Sequence, residues 1–423
     1  KFQGCPTIAL TRGGRIWTGW YSGGVREPHM DNYEIITYSD DGGKSFRSPY
    51  LIIPSDKERL VHALDPELWT APDGRLFLFW IQENVVPTTP ENLARTEFPP
   101  IKDFTGFARI DGFMFTDFLH SVWVSVCDEP DAEKPVFSEP KCVCDGFIRC
   151  KPTVLANGDY LIFPYDQLQH RYAYALSHDG GKTFERHFGG KKVETRFDEG
   201  MAYVKNDGSI RMFARTSVGV IAESYSYDGG KTWTDGAETD IKNPNTRFFI
   251  SRTPSGRVML VNNDDPSSRT NMTVYLSDDD GVSWKYKRCI DSRKDLSYPD
   301  VDSKDGRVYL VYDRERIGAK EILFTTFTED DIIGGAPINI SVISKPQIKE
   351  IEILGENRHE TFTKERVACR GIVARDGKIL ASKMEKSDFY MIPGGGIEGD
   401  ETPDECCVRE IAEETGIVAK AIG

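Results

Sequence analysis

Three glutamates near the end of the sequence have the spacing of neighbours on one face of a helix. Glu410, Glu413 and Glu414 stand at positions i, i+3 and i+4, which lie side by side on a helix surface. Thr402 and Pro403 precede them, and they predict an N-cap followed by a first helical turn. Three carboxylates this close repel one another unless a hard cation lies among them. The spacing therefore predicts a Mg²⁺ or Mn²⁺ site.

A second set of chemically active side chains is spread over most of the remaining sequence. It combines carboxylates, cations and one phenol, and such a set suits an acidic sugar when a fold brings its members together. The candidates are Gln3, Asp65, Glu67, Arg149, Lys151, Glu199, Arg247, Arg252, Tyr298 and Asp300. Residues so far apart in sequence meet only if a repeated architecture places them around one point.

A short pattern, S-x-D-x-G-x-[ST]-[WF], recurs four times and indicates such a repeat. Its copies read SDDGGKSF at Ser39–Phe46, SHDGGKTF at Ser177–Phe184, SYDGGKTW at Ser226–Trp233 and SDDDGVSW at Ser277–Trp284. In each copy the Asp side chain can bond nearby backbone amides, and Gly can adopt the positive φ that a tight turn needs. Each copy follows an alternating strand pattern, so the motif predicts a turn at the same place in four repeated units.

A second repeat consists of a strand, a D-G or N-G type turn and an apolar strand. It occurs six times between Cys5 and Asp313, from PTIALTRGGRIWTGWY to SYPDVDSKDGRVYLVYD. Most copies are about 50–60 residues apart, and units of about four strands at such a spacing are typical of propeller blades. The sequence therefore predicts an all-β, six-bladed β-propeller in which the first strand of each blade lines a central channel. A β-sandwich is the alternative, but it would not repeat so regularly.

The composition restricts the partners and the compartment. A net charge of −14 argues against nucleic acid as the main partner, because phosphate binding needs a basic surface. The sequence contains no apolar run long enough to predict a membrane span. Nine scattered Cys residues form no disulfide or zinc pattern, which favours reduced thiols and a cytoplasmic location. The sequence begins at Lys1 without Met, so a leader peptide could precede it.

Four Asp-containing turns on six blades resemble the sialidase superfamily over about residues 1–345. The segment FDEGMAYVKNDGSIRMFAR resembles the family's Glu-to-Arg stretch, which implies that Glu199 activates the nucleophile and that Arg215 binds the substrate carboxylate. The segments SSRTNMTVYLSDDDG and LSYPDVDSKDGRVYLVYD imply a second such arginine at Arg269 and a nucleophile at Tyr298. The resemblance places the acid/base on Asp31, in the loop before the first Asp turn. It implies a retaining exo-glycosidase that acts on an acidic or related sugar without a cofactor.

The sequence departs from the family at one arginine. The family strand reads close to F-R-I-P, whereas this chain reads Phe2-Gln3-Gly4-Cys5-Pro6. Arg26, Arg149 and Lys151 are the candidates to replace that arginine, so sialic acid is one possible substrate among acidic sugars. Arg149 and Lys151, together with Asp65 and Glu67, are predicted to bind the substrate.

Two other functions remain open at this point. Some propellers are polysaccharide lyases that abstract a proton from a uronate with His or Tyr, and His29, His62 and Tyr298 could serve here. A non-catalytic glycan-binding propeller is the third possibility.

The glutamate helix belongs to a longer motif, G-x5-E-x7-R-E-U-x-E-E-x-G-U, which resembles the Nudix hydrolase box. Its first glycine is Gly395, its first glutamate is Glu401 and its arginine is Arg409. The resemblance implies metal-dependent hydrolysis of a nucleoside or sugar diphosphate by an intact domain, with Arg409 holding a glutamate of the box. We predict a linker at 346–365 and, at 366–423, the first half of an α/β Nudix domain, which we expect to be inactive when truncated in this way.

Overall fold

The computed structural model of the protein describes most of the chain in two compact units, 1–358 and 359–423. The described residues are 2–27, 29, 31–47, 49–55, 61–87, 113–167, 169–343, 352–353, 368–375, 378–383, 390–399 and 401–420. The predicted linker at 346–365 lies outside them except for 352–353, and its placement stays a prediction.

The first unit contains six sheets that follow one another along the chain, each with four antiparallel strands. Blade one contains β1 (Phe2–Leu10), β2 (Ile16–Gly23), β3 (Asn32–Ser39) and β4 (Leu51–Ile53), and blade two contains β5 (Val61–Thr70), β6 (Leu76–Pro87), β7 (Phe113–Cys127) and β8 (Lys141–Asp145). Blade three contains β9 (Thr153–Val154), β10 (Tyr160–Ile162), β11 (Arg171–Ser177) and β12 (Glu185–Lys191), and blade four contains β13 (Met201–Val204), β14 (Ile210–Ala214), β15 (Val220–Ser226) and β16 (Ala237–Lys242). Blade five contains β17 (Phe249–Arg252), β18 (Val258–Asn263), β19 (Met272–Ser277) and β20 (Tyr286–Asp291), and blade six contains β21 (Leu296–Lys304), β22 (Arg307–Arg314), β23 (Glu321–Thr328) and β24 (Ile340–Val342). The predicted six-bladed β-propeller is confirmed.

The two sequence repeats occupy equivalent turns. The six D-G or N-G type turns join the first and second strands of the blades, and the four Asp turns join the third and fourth strands of blades one, three, four and five. In each Asp turn the carboxylate accepts a backbone N–H four residues later, at 2.8–3.0 Å. Hydrogen bonds from the Ser or Thr at that later position hold the pKa of Asp41, Asp179 and Asp279 below the usual range. The turns are therefore closed by their own residues, and side chains of the preceding blade add hydrogen bonds to the turns at Gly180 and Asp280.

Apolar side chains fill the space between neighbouring blades. Leu161 and Tyr172 of blade three pack in one cluster with Ile210 and Met212 of blade four. This packing follows from the alternation in the strands, because every second side chain of a pleated strand faces the adjacent blade.

Three inner strands share an unusual bulge. The register with the second strand shifts between Gly4 and Thr7 in β1, between Leu64 and Glu67 in β5, and between Ser297 and Asp300 in β21. Each bulge contains a non-glycine residue with positive φ followed by proline: Cys5 (52°), Asp65 (56°) and Tyr298 (54°). A positive φ is rare for such residues, and proline restricts the residue before it further. Strain of this kind persists where it positions functional groups.

Short strands and one helix make up the described part of the second unit. The strands pair as β26 (Ala368–Arg370) with β31 (Gly394–Gly396), β27 (Ala374–Arg375) with β28 (Lys378–Ile379), and β29 (Ser382–Lys383) with β30 (Tyr390–Met391). Helix α2 spans Pro403–Thr415 and is capped by Thr402 in a capping box with Glu405. A shorter helix, α1 (Glu329–Gly334), follows β23 in the propeller, and β25 (Glu352–Ile353) pairs in parallel with β4.

Two general features complete the description. Neither of the described helices has the length and apolar character that crossing a bilayer demands. All nine cysteines are free thiols.

Candidate active site

The centre of the site is a buried triad from three inner positions of the propeller. The Tyr298 hydroxyl donates to Oε1 of Glu199 at 2.7 Å. Nη1 of Arg215 donates both to the same Glu199 oxygen, at 2.8 Å, and to the Tyr298 hydroxyl, at 3.1 Å. The bulge in β21 aims Tyr298 at this point, and Glu199 also has a positive φ, of 36°. A phenol, a carboxylate and a guanidinium therefore form one hydrogen-bonded group.

The charge states of the triad differ from those of the same groups in water. Burial and the charge of Glu199 raise the pKa of Tyr298 well above its usual value, against the effects of Arg215 and Arg316. Burial alone would raise the pKa of Glu199, but Arg215, Arg149 and the Tyr298 hydroxyl together bring it below the usual value. At neutral pH the site therefore contains a neutral phenol beside an ionised carboxylate.

Arg269 is a second guanidinium beside Tyr298. Its Cζ lies 5.8 Å from the centre of the Tyr298 ring. Asn245 links it to Arg215, because the Asn245 side-chain oxygen accepts from Arg215 Nε at 2.7 Å and its backbone oxygen accepts from Arg269 at 3.2 Å. Within the described residues, no carboxylate forms an ion pair with Arg269. Burial, Arg316 and Arg215 lower the pKa of Arg269, so an added anion would be stabilised there.

Arg316, which the sequence analysis missed, is a third guanidinium at the same tyrosine. Its Cζ lies 4.2 Å from the Tyr298 ring centre, Nε donates to Asp313 at 3.0 Å and Nη1 to Glu27 at 2.7 Å. Its Nη2 is buried and makes no hydrogen bond in the described structure. Its side chain lies so close to Gly4 that a Cβ there would come within 2.9 Å.

Asp65 and Arg149 form the other wall of the site. Their side chains are 2.5 Å apart, and Arg149 Nε is 3.8 Å from Glu199. Burial raises the pKa of Asp65 to about 6, although Arg149 acts in the opposite direction. Burial and the charge of Asp65 also raise the pKa of Glu34.

Glu67 and Lys151, two predicted substrate-binding residues, belong to a separate network that we term the axial cluster: Thr7, Glu67, Lys151, Arg247 and Asp300. Arg247 contacts Asp300 at 2.9 Å and Glu67 at 3.3 Å, and Lys151 contacts Asp300 at 3.1 Å. Thr7 donates to Asp300 at 2.9 Å, and Lys151 also donates to the backbone oxygens of Ile8 and Val301. The contacts of Glu67 and Lys151 thus connect blades one, two, three, five and six to one another.

The other predicted residues lie in less central places. Asp31 is exposed on the loop between β2 and β3, and its carboxylate is 3.5 Å from Nδ1 of His29. His62 is fully buried, with Nε2 3.2 Å from Glu83. Arg252 pairs with Asp280, and Gln3 donates to the backbone oxygen of Lys320 at 2.8 Å.

The glutamate helix of the second unit is organised by an arginine. Arg409 contacts Glu401 at 2.6 Å, Glu410 at 2.9 Å and Glu413 at 3.3 Å, as the resemblance implied for a glutamate of the box. Carboxylates are the oxygen donors that Mg²⁺ and Mn²⁺ prefer, so the donor type fits. The positions do not, because no three carboxylates of the described residues are close enough together to hold one ion. The roles of Glu410, Glu413 and Glu414 as metal ligands therefore stay predictions.

Comparison with known families agrees with this architecture. Residues 129–310 match the BNR repeat-like domain family, and residues 364–423 match the NUDIX domain family. The chain carries a BNR repeat-like domain and a NUDIX domain. Two solved structures resemble the propeller that contains the BNR repeat-like domain. The intramolecular trans-sialidase from Ruminococcus gnavus aligns with a TM-score of 0.60 and 16% identity, over 78% of this chain and 95% of that one. The NanB sialidase from Streptococcus pneumoniae aligns with a TM-score of 0.59 and 15% identity, over 76% and 66%. Identities this low show the fold.

The NUDIX domain has relatives that are closer in sequence. An ADP-ribose pyrophosphatase of Methanocaldococcus jannaschii is 38% identical over 80 residues, which are 18% of this chain and 46% of that protein. The mouse diphosphoinositol polyphosphate phosphohydrolase 3-alpha is 39% identical over 59 residues, 14% of this chain and 36% of that protein. The chain therefore spans less than half the length of these curated relatives.

Proposed function

We propose that the propeller is a retaining exo-glycosidase that acts on an acidic sugar such as a sialoside or a uronide. One observation carries the proposal: the Tyr298 hydroxyl is held between Glu199 and Arg215, under two further guanidinium groups. A neutral phenol is suited to attack an anionic sugar, because a negatively charged carboxylate nucleophile would repel the sugar.

The proposed reaction has two steps. Glu199 accepts the phenolic proton while the Tyr298 oxygen attacks the anomeric carbon, and Asp31 protonates the leaving oxygen. Water then attacks the glycosyl-tyrosine, with Asp31 taking its proton and Glu199 returning one to Tyr298. Two inversions at the anomeric carbon give net retention.

The arginines supply the substrate affinity in this scheme. Arg215 and Arg269 contact the sugar carboxylate, since guanidinium groups bind carboxylates through paired hydrogen bonds. Gln3 stands where the family has an arginine, and Arg316 takes the place of that arginine. Its Nη2 has no hydrogen bond in the described structure and it lies over Tyr298, so it can bind the same anion. Asp65 and Arg149 contact the sugar hydroxyls.

The experiment is a turnover screen on sialosides and uronides with the wild type and Tyr298→Phe. We expect the variant to lose at least roughly 10³-fold in turnover, because it lacks the nucleophilic oxygen. Proton NMR of the first product released should show the anomer of the substrate. Equal rates for the two proteins would remove Tyr298 from the mechanism.

The same screen separates the alternative functions. A lyase would give an unsaturated product that absorbs in the ultraviolet and would consume no water. A binding propeller would bind the glycans without turnover, and Tyr298→Phe would change its affinity only slightly.

For the second unit we infer that the intact NUDIX domain hydrolyses a nucleoside or sugar diphosphate with Mg²⁺ or Mn²⁺. The printed names of the relatives, pyrophosphatase and phosphohydrolase, support this class of reaction. The test is diphosphate hydrolysis by a chain that contains the whole domain, with Glu413→Gln and Glu414→Gln expected to abolish the metal-dependent part.

A further inference from the structure

A cavity of about 650 Å³ opens directly from the two arginines that Asn245 links. Arg215 and Arg269 form its inner end, and the segment 191–197, which runs from the last residue of β12 toward β13, forms its main wall. Its volume falls in the range of sites that bind small molecules. The cavity therefore extends the candidate active site rather than forming a separate pocket.

The wall of the cavity is tied down by backbone hydrogen bonds. Lys192 N donates to His170 O at 2.9 Å, and Ser217 N donates to Glu194 O at 2.9 Å. Arg215 N donates to Asp198 O at 2.7 Å. The segment 191–197 is thus fixed against two neighbouring segments, and its side chains are presented by a structured surface.

The lining of the cavity is strongly cationic although the chain as a whole carries a net charge of −14. Beyond the two arginines it contains Lys191, Lys192 and Arg196, against one acidic residue, Glu194. Asp198 neutralises Lys192, at 2.6 Å. Lys191 is exposed, and in the part of the chain that the structure describes no carboxylate pairs with it. The cavity therefore retains positive charge at Lys191 that a single sugar carboxylate at Arg215 and Arg269 would leave unused.

We propose that this cavity binds a phosphate group of the substrate, so that the substrate is an acidic sugar glycoside that also carries a phosphate ester. The inference rests on the proposed function, because it assigns the sugar carboxylate to the inner end. Phosphate carries more charge than a carboxylate and accepts hydrogen bonds on several oxygens, which matches a site with Lys191 and Arg196 in its lining. An uncharged extension of the substrate would gain nothing from these cations.

The direct test is calorimetric titration of inorganic phosphate into the full chain and into the double variant Lys191→Ala/Arg196→Ala. We expect at least tenfold weaker binding in the variant. The matched control is Lys182→Ala/Lys231→Ala, which removes the same charge from two exposed Asp turns and should bind like the wild type. Equal affinities in all three proteins would overturn the proposal.

A second arm separates the cavity from the arginines at its inner end. Phosphate should still bind to the protein saturated with free sialic acid, and to Arg269→Met, because in both cases Lys191 and Arg196 remain. Loss of binding in both would show that phosphate merely occupied the inner arginines, and would reject the cavity as a phosphate site. If sialic acid does not bind, the proposed function is weakened, whereas the Arg269→Met titration still decides whether the cavity holds phosphate.

Turnover distinguishes where the phosphate is attached. Acidic glycosides with the phosphate on the sugar and with the phosphate on the leaving group are compared with their unphosphorylated forms. The proposal expects one of the two to have a KM at least tenfold below that of its unphosphorylated form, and expects Lys191→Ala/Arg196→Ala to remove that advantage. No advantage for either phosphorylated substrate counts against the proposal.

Discussion

The axial cluster and the triad around Tyr298 are built from the same kinds of residue, yet they differ in how completely their charges are paired. In the axial cluster Arg247 lies between Glu67 and Asp300, and Lys151 contacts Asp300 and two backbone oxygens. Around Tyr298, Oε2 of Glu199 and Nη2 of Arg316 are buried without a hydrogen bond in the described structure. Arg269 there has no ion-pair partner among the described residues.

This difference indicates different functions for two networks in one propeller. In the axial cluster buried ion pairs connect the blades, Nε of Arg247 is the one buried polar side-chain atom without a hydrogen bond in the described structure, and breaking such a pairing is costly. Buried polar atoms that lack partners are unfavourable in the free protein, and they are expected where a ligand completes the set. The residue types alone did not separate the structural Lys151 from the substrate-binding candidate Arg269. The ion pairs separate them, because Lys151 has one with Asp300 and Arg269 has none among the described residues.

The largest expected effect concerns the axial cluster. Arg247→Met should lower the free energy of unfolding by about 3–5 kcal/mol, because it leaves two buried carboxylates without their shared cation. Denaturant unfolding followed by tryptophan fluorescence measures this. Arg257 is the matched control, since it also bridges two carboxylates, Asp278 and Glu329, but near the surface; Arg257→Met should cost less than about 1 kcal/mol. Similar losses in both variants would contradict a special role for the axial cluster.

The second prediction compares two buried glutamates. Glu199→Gln should lower kcat by about 10²- to 10³-fold, since it removes the base for Tyr298. Glu67→Gln should leave kcat within a few-fold of the wild type, because Glu67 contacts Arg247 and Thr7 of the axial cluster and not the triad. Steady-state kinetics on the best substrate of the screen checks both. An equal loss of kcat in the two variants would contradict the assignment of catalysis to the triad and of a structural role to the axial cluster.

The third prediction concerns affinity. Arg269→Met should raise KM for an acidic glycoside by about 10- to 100-fold, because it removes one charge-assisted contact to the substrate. It should not lower stability, since burial and the neighbouring Arg316 and Arg215 already disfavour the charge of Arg269. KM and the unfolding midpoint are measured on the same preparation. A marked loss of stability with unchanged KM would show that Arg269 stabilises the fold and does not bind the substrate.

The smallest expected effect is a pH dependence. Burial raises the pKa of Asp65 to about 6, so this carboxylate becomes neutral as the pH falls through 6 and its ion pair with Arg149 weakens. KM should therefore rise several-fold between pH 7 and pH 5 in the wild type and stay flat over that range in Asp65→Asn. Asp31→Asn should instead lower kcat across the range. A wild-type KM profile that Asp65→Asn does not alter would separate Asp65 from the substrate.

Much of the architecture could be predicted from the sequence because short local motifs determine its turns. Asp and Gly at fixed spacings mark the same turn in each blade, and six strand pairs count the blades. The grouping of Tyr298, Glu199 and Arg215 was accessible through resemblance. The separation of Lys151 and Glu67 from them was not, since a shift of one residue in register reverses the face that a side chain occupies, and a proline in the first strand of a blade does not by itself predict a bulge. Arg316 could not be predicted because it follows β22 in an irregular turn that belongs to neither of the two sequence repeats.

The three proline bulges have a consequence for how such a protein could change its chemistry. In each of them the residue before proline faces the Tyr298 site, whereas the residue after proline belongs to the axial cluster: Cys5 and Thr7, Asp65 and Glu67, Tyr298 and Asp300. Neighbouring positions on one strand are thereby released from a common constraint. The residue after proline can therefore hold the blades together while the residue before it serves the site. A substitution at Cys5 or Asp65 would alter the site without removing a member of the axial cluster.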